Sequence, residues 1–330
     1  MRGHVQNFNV FTNKALTMSG LSTFSSEFPL GEGWFVLWLH FVITLTNTTG
    51  TTVISEAELS LIKNIMFKTD RDGISYNIPA RALWYLNYLL CGTVGTKTTA
   101  SATAGTFKVT LPIIFANPRL VRPVDTILDT RRYNMVELHI TMGSIADWLS
   151  TVGDGALTAT LTAEVQRTYG TIPKGGEPVA YPYVASYPQV NPASATKIDI
   201  ERSTDLALLL ALIHSGNSVT SGVGFSGTGA NTTLADISIE DNEGYVHYKR
   251  PIQLIQDQAK QMFELETYNI TGAAALNPLT GWHPLFLSAE GSLIGAYPTG
   301  GKSRCEINWT NGTLSTSGVT ALIQGVRQLK

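Results

Sequence analysis

The sequence predicts an all-β protein built of two tandem eight-stranded jelly rolls, a double jelly roll in which each roll has a flanking helix. Three observations lead to this prediction. Charged residues make up only 15% of the 330 residues, whereas Gly, Thr, Ser and Ala are abundant, as in β structure with many turns. Several short segments alternate with a period of two between Gly and Pro turns. The second half of the chain then repeats landmarks of the first half in the same order.

The charge balance lacks the excess of basic residues that is typical of a nucleic-acid-binding protein. The chain has 23 basic and 25 acidic residues, a net charge of −2 and a pI near 6.3. The basic residues form no run, so we expect no direct nucleic-acid binding. Two cysteines, Cys91 and Cys305, are too few for a disulfide framework. The N-terminus lacks the apolar segment and cleavage site of a signal peptide, so we expect a soluble protein that is not secreted.

The first roll is predicted over residues 32–170, after a polar N-terminal arm at residues 1–31. The most apolar stretch of the chain, residues 34–45, is too short for a membrane helix. Every odd position from Phe35 to Leu45 is apolar, which predicts a strand with one buried face. Its even positions are mixed, so we expect a helix or a neighbouring subunit to cover the second face as well.

A tight turn and a helix follow in the first roll. Residues 70–73 (D-R-D-G) are predicted to form the turn between strands at 62–68 and 74–78. Pro79 then marks a helix start, where the missing N–H is not needed. Three leucines continue from there at helical spacing: Leu83, Leu86 and Leu90.

The rest of the first roll consists of a loop and further strands. Residues 92–106 are small and polar, as in an exposed loop, and strands are predicted at 107–115, 135–142 and 157–166. A linker is predicted over residues 171–196, because its five prolines break regular structure. The three tyrosines between these prolines indicate that the linker packs along a surface.

The second roll, predicted over residues 197–330, repeats the first. Leu206 opens an apolar strand 171 positions after Phe35, and Gly244 follows Gly73 at the same distance. Two more segments recur at offsets of 172 and 169 positions: Pro-Leu-Phe at 284–286 after Pro-Ile-Ile at 112–114, and Cys-Glu-Ile-Asn at 305–308 after Val-Glu-Leu-His at 136–139. An offset of this size is far longer than a solenoid repeat, so the duplicated unit is a whole domain.

One long segment resembles a known family. The run L59-S-L-I-K-N-I-M-F-K-T-D-R-D-G-I-S-Y-N-I-P-A-R-A-L-W-Y-L-N87 is similar to the first jelly roll of double jelly-roll major capsid proteins of membrane-containing icosahedral bacteriophages, the tectivirus–corticovirus–adenovirus lineage. The residues that carry the resemblance are Leu61, Ile62, Ile65, Asp72, Gly73, Leu83, Tyr85 and Asn87. The duplication extends it to residues 32–330, although the helix at 253–263 is polar and lacks the Leu-Tyr pair.

This resemblance implies a structural protein of a virion shell. Homotrimers would form pseudo-hexagonal capsomers that tile an icosahedral capsid over an internal membrane, with the loops at 92–106 and 216–233 on the outer surface. The implied partners are further copies of the chain in the trimer and in neighbouring capsomers, penton and minor capsid proteins, and the lipid membrane at the inner face. The protein would be made in the host cytoplasm, and no cofactor is expected.

A double jelly-roll hydrolase and a carbohydrate-binding surface protein or adhesin are the alternative interpretations. A hydrolase needs convergent acids, for which Glu137 and Glu306 are candidates, but their equivalence in the two copies favours a structural role. The six histidines lack metal-ligand spacing, and residues 70–73 lack the later ligands of a calcium loop. The glycines at 222–227 lack the βαβ context of a dinucleotide site. The sequence therefore predicts no catalytic, cofactor-binding or metal-binding residues, and no enzyme.

Overall fold

The computed structural model describes residues 4–46, 52–54, 56–91, 95–151, 154–169, 178–189, 196–215, 234–241, 245–262, 282–288, 292–293, 295–311 and 319–328. The chain divides into two compact units. The first contains mainly Met1–Val184, and the second contains mainly Ala185–Val219 and Val223–Gln328. The division thus falls inside the segment at 171–196 that the sequence predicts as a linker.

The described part of the first unit forms two antiparallel sheets. Its strands are β1 (His4–Leu16), β2 (Leu21–Phe24), β3 (Gly33–Thr46), β4 (Ile62–Thr69), β5 (Gly73–Ile78), β6 (Gly105–Ile114), β7 (Leu128–Asp129), β8 (Val136–Met142) and β9 (Ala156–Tyr169). One sheet has the order β1-β9-β3-β6, with the short β7 beside β3, and the other contains β2-β8-β4-β5. Without β7, the eight strands are paired 1-8-3-6 and 2-7-4-5 in chain order, which is the pairing of a jelly roll.

Two helices accompany these strands. Helix α1 spans Ala57–Ser60, and helix α2 spans Ala80–Cys91, directly after Pro79 as the sequence predicts. The three leucines at helical spacing in α2 are buried. Short 3-10 turns occur at Pro123–Thr126, Thr130–Arg132 and Ile145–Asp147. No helix in the described part of the chain is both long and apolar enough to cross a membrane.

The second unit repeats the pattern of the first. Strand β10 (Ala180–Gln189) contains the boundary between the units. It is followed by β11 (Lys197–Asp199), β12 (Leu206–Ser215), β13 (Leu234–Asp241), β14 (Tyr245–Pro251), α3 (Ile252–Met262), β15 (Trp282–Phe286), β16 (Tyr297–Pro298), β17 (Cys305–Asn311) and β18 (Val319–Gln328). Strand β12 pairs with β15, β16 and β18, as β3 pairs with β6, β7 and β9. Strand β17 lies between β11 and β13, and β13 pairs with β14, as β8 lies between β2 and β4, and β4 pairs with β5. The predicted double jelly-roll fold is confirmed.

The N-terminal segment differs from the predicted arm. Residues 1–31 contain β1 and β2, and β1 pairs with β9 from His4↔Tyr169 to Leu16↔Ala159. The sequence of β1 lacks the apolar alternation that predicts a strand, because only Phe11 and Leu16 are buried among its described side chains. The first roll therefore begins near residue 4 rather than at residue 32. In the same way, the segment predicted as a linker contributes strand β10.

The core of the first roll lies between its two sheets. Alternate residues of β3 are fully buried there, as the period-two pattern predicts: Leu37, Leu39, Phe41, Ile43 and Leu45. Trp34 takes the buried position expected for Phe35, because the pairing with β9 shifts between Trp34 and Val36. Phe67 of β4 packs against Trp34 and Phe115, with ring centroids 6.2 and 5.2 Å apart. The even positions of β3 from Val36 to Thr44 are half-buried within the single chain.

Each roll carries a proline at the same place in its sixth principal strand. Pro112 of β6 lies opposite Trp38 of β3, and Pro284 of β15 lies opposite Leu212 of β12. Strands β6 and β15 are the last strands of their sheets among the described residues. Proline is tolerated there because an edge strand does not need every N–H for a neighbour.

Candidate functional site

The turn between β4 and β5 is closed by hydrogen bonds from neighbouring segments. Gly73 has a φ of +77°, a conformation that favours glycine. Tyr133 Oη donates to Asp72 Oδ2 at 2.6 Å, and Tyr181 Oη donates to the Asp72 carbonyl oxygen at 2.8 Å. No group of three or more His, Cys, Asp or Glu residues within the described ranges could hold a metal ion. These contacts give Asp72 a structural role in the turn. Gly244, the predicted counterpart of Gly73 in the second roll, lies outside the described residues.

The two carboxylates considered for hydrolysis, Glu137 and Glu306, lie in different units and face basic side chains. Glu137 Oε2 lies 2.6 Å from Lys68 Nζ and 2.8 Å from His139 Nε2, and hydrogen bonds from both lower the pKa of Glu137. Burial raises the pKa of Glu306, but its basic neighbours, led by Lys197 at 2.8 Å, outweigh burial and lower it. A general acid needs a raised pKa, so both carboxylates fit ion pairing better than acid catalysis.

A partly buried ion cluster lies beside helices α1 and α2. It consists of Glu56, Glu58, Arg81 and Lys97. Arg81 Nε lies 2.8 Å from Glu56 Oε2, and Lys97 Nζ lies 3.1 Å from Glu56 Oε1 and 2.9 Å from Glu58 Oε1. The Arg81 side chain is fully buried and that of Glu58 is 2% exposed. Two cations and two anions balance one another, which offsets the cost of removing each charge from water.

The backbone at Glu56 positions the ion cluster. Glu56 precedes α1 with a φ of +52°, which is uncommon for a residue other than glycine. Its carboxylate receives Arg81 from the first turn of α2, and Tyr85 Oη, one turn further, donates to Glu56 Oε1 at 3.1 Å. Glu56, which precedes α1, therefore joins two residues of α2 and Lys97 of the segment 95–106 at a single carboxylate.

The ion cluster and strand β6 together hold part of the segment 95–106. Thr98 N donates to the Lys108 carbonyl oxygen at 2.8 Å, and Ala100 N donates to Glu58 Oε2 at 3.1 Å. A side chain at Gly95 would place its Cβ 1.8 Å from the Thr110 carbonyl oxygen, so only glycine fits. The segment predicted as an exposed loop is thus partly held down. Residues 92–94 and the other predicted surface loop, 216–233, lie outside the described residues.

His283 of β15 is a buried histidine with a leucine in the corresponding position of the first roll. It lies opposite Ile213 of β12 and has no exposed surface. Burial lowers its pKa to about 3, so the imidazole is neutral at physiological pH. In the duplicated sequence it corresponds to Leu111, which is also fully buried. His283 therefore occupies an ordinary core position.

Exposed apolar side chains gather at one end of the first roll. Eight large apolar residues are exposed within the described ranges, and six of them lie near the points where β1, β3, β5, β8 and β10 begin and β6 ends. These six residues, which we call the apolar end, are Val5, Leu30, Ile74, Val121, Met135 and Val179. Val121 and Val179 are 84% and 57% exposed. The segment after β6, which carries Val121, is linked to the segment before β10, because Val179 N donates to the Asp125 carbonyl oxygen at 3.0 Å. Such a concentration is typical of a contact surface.

Neither a protein-family model nor a curated protein matches this chain. Its fold is nevertheless that of solved double jelly-roll major capsid proteins. The major capsid protein of Sulfolobus turreted icosahedral virus is similar with a TM-score of 0.68 and 12% identity, over 99% of this chain and 97% of that one. Major capsid protein P2 from bacteriophage PM2 is similar with a TM-score of 0.60 and 11% identity, over 99% and 98% of the two chains. The Faustovirus major capsid protein is similar with a TM-score of 0.55 and 9% identity, over 99% and 90%.

We expect Glu56→Gln to destabilise the first unit by about 3 kcal/mol at pH 7, because it removes one charge of a buried ion pair. Burial raises the pKa of Glu56, but Arg81 and Lys97 outweigh it and hold that pKa below the ordinary value of 4.5. A lowered carboxyl pKa contributes stability above the unfolded-state value, and this is lost as the pH falls through the folded-state value. Urea unfolding followed by tryptophan fluorescence should therefore show the full difference at pH 7 and a smaller one below pH 4.5.

Glu27→Gln is the matched control for this measurement. Glu27 forms a more exposed ion pair with Lys14, with 3.5 Å between Oε1 and Nζ. Such a pair contributes about 1 kcal/mol or less. Equal losses from the two substitutions would contradict a stabilising role for the ion cluster.

We expect His283→Leu to remove an acid-dependent loss of stability from the second unit. The folded-state pKa of about 3 lies below the ordinary value of 6.5, so the unfolded chain binds an extra proton between these values. The wild-type protein should therefore lose stability as the pH falls below 6.5, by about 2 kcal/mol at pH 5. Unfolding at pH 8 and pH 5 should show a smaller pH-dependent change for the leucine variant; the same change in both proteins would disprove this role of His283.

Proposed function

We propose that this chain is a structural major capsid protein. The observation that carries the proposal is the jelly-roll topology present twice in one chain, which matches the capsid protein of Sulfolobus turreted icosahedral virus over 99% of its length. Two similar rolls give a subunit two similar faces. Three such subunits around a threefold axis present six similar wedges, and therefore a pseudo-hexagonal outline.

Capsomers of this outline pack into flat arrays and leave the fivefold corners of an icosahedral shell to penton and minor capsid proteins. The protein then resides in the virion after synthesis in the host cytoplasm. A structural role without catalysis or a cofactor is supported by Glu137 and Glu306, whose charges are engaged by Lys68 and Lys197. The net charge of −2 supports a shell that does not bind nucleic acid directly.

The apolar end is proposed to face an internal membrane. It gathers six of the eight exposed large apolar side chains in the described part of the chain. Segment 95–106 lies at the opposite end of the same roll, because it precedes β6 whereas Val121 follows it. The segment 95–106 then faces outward when the apolar end faces inward. Contact with lipid removes apolar surface from water, which is the driving force for this orientation.

The purified protein should be a homotrimer of the 35.7 kDa chain. Permanent interfaces of this kind bury a few thousand Å², so the trimer should persist at micromolar concentration. Light scattering coupled to size-exclusion chromatography gives the mass, and single-particle images should show hexagonal outlines. A monomer at micromolar concentration would contradict the proposed function and favour the hydrolase or adhesin alternatives.

The paired substitution Val121→Asp with Val179→Asp should weaken membrane binding at least tenfold. It removes two exposed apolar side chains and adds two charges at the surface proposed to contact lipid. Binding is measured by co-flotation with vesicles of phosphatidylcholine and phosphatidylglycerol. Leu254→Asp is the control, since Leu254 is 38% exposed in the second unit. A loss of the same size in the control, or no binding by the wild-type trimer, would refute this orientation.

A further inference from the structure

Strand β1 has a long edge with little to prevent another strand from pairing with it. Its 13 residues contain no proline, and Lys14 is the only Lys, Arg, Asp or Glu among them. One side pairs regularly with β9 from His4↔Tyr169 to Asn9↔Glu164, before register shifts begin. Within the described residues, β1 has no second strand neighbour. Proteins usually protect such edges with charges, proline or a covering segment, because an open edge recruits further strands.

The outer edge of β5 in the first roll is covered by another strand, whereas the outer edge of β14 in the second roll has no strand beside it among the described residues. In the first unit, β4 lies on one side of β5, and residues 180–184 of β10 lie on the other. Ser75 Oγ of β5 donates to the Pro182 carbonyl oxygen at 2.6 Å. In the second unit, β14 occupies the position of β5 and pairs with β13. The described residues place no strand on the other side of β14.

The segment that covers β5 is the sequence counterpart of β1. Moving residues 180–184 back by the duplication offset of 171 positions places them at residues 9–13, inside β1. The order along the chain agrees, since β10 precedes β11 as β1 precedes β2. The chain therefore already contains one instance of a first strand placed on the outer edge of a fifth strand.

We propose that β1 of one copy of this chain pairs with the outer edge of β14 of a second copy. This repeats between chains the contact that residues 180–184 make with β5 within a chain. The contact is head-to-tail, so every chain uses β1 toward one neighbour and β14 toward the other, and the series closes when the rotation completes a ring. The inference rests on the proposed function, because it names the contact between subunits of the capsomer.

Disulfide cross-linking in full-length protein tests this contact. Thr12→Cys is combined in turn with Val246→Cys, His247→Cys and Tyr248→Cys, because the Ser75–Pro182 contact corresponds to residues 246 and 11; a Cys91→Ser background removes the exposed native thiol. Mild oxidation should link the subunits of at least one combination into covalent dimers and trimers on non-reducing gels. The control combines Thr12→Cys with Asp199→Cys on β11, at the opposite edge of the sheet that contains β14. The control and the single-cysteine variants should stay uncross-linked.

The outcomes separate this inference from the proposed function. A trimer by light scattering in which no β1–β14 combination cross-links, or in which the β11 control links equally well, overturns the inference and leaves the capsid function standing. A monomer overturns both.

Hydrogen exchange in the unmodified trimer provides a second measurement. A strand paired on both sides protects successive amides, whereas a strand paired on one side protects alternate amides. Every amide from Asn9 to Asn13 should therefore exchange at least tenfold more slowly than an exposed amide, and rapidly exchanging amides among them in the trimer would overturn the inference.

Discussion

Strand β3 is hydrogen-bonded on both sides along most of its length, to β6 from Val36↔Ile114 to Leu45↔Gly105 and to β9 from Trp34↔Arg167 to Thr46↔Ala156. This double ladder fixes which side chains enter the core, because a slip of one residue would turn every buried leucine toward the outside. Strand β12 has the same central position in the second roll, between β15 and β18. The two rolls therefore share one constraint, and the sequence can vary widely wherever the ladder and its buried face are kept.

Charged residues make up only 15% of the chain, and several that are buried form ion pairs. Glu56 joins two helices and the segment 95–106 through Arg81 and Lys97, while Glu137 and Glu306 hold basic side chains along their strands. Acid–base catalysis by a pair of carboxylates needs pKa values that are driven apart, so that one carboxyl can donate a proton. Here the pKa values of all three carboxyls are lowered. Ionised carboxylates with fixed cationic partners are suited to holding a rigid subunit together.

The sequence could predict the features that depend on local pattern. Period-two alternation identified β3, and the Gly turn with Pro79 identified β5 and α2, because these signals lie within about ten residues. The repeated order revealed two rolls. Strand β1 was hidden, because an edge strand with few buried side chains has little apolar periodicity. The ion cluster was hidden as well, since Glu56 and Lys97 lie 41 positions apart and meet only through the fold. Exposed apolar residues scattered from Val5 to Val179 likewise become one surface only after the strands have set which ends coincide.

The prolines in β6 and β15 make one edge of each of these sheets unfavourable for a further strand. Pro112 and Pro284 lie in the outermost strand of corresponding sheets, where the missing N–H and the bulky ring hinder addition of another strand. Strand β1, at the other side of the first of these sheets, has no such obstacle. A chain of this kind can extend a sheet on one flank and is blocked on the other. The two prolines therefore also disfavour the uncontrolled growth of these sheets into fibres.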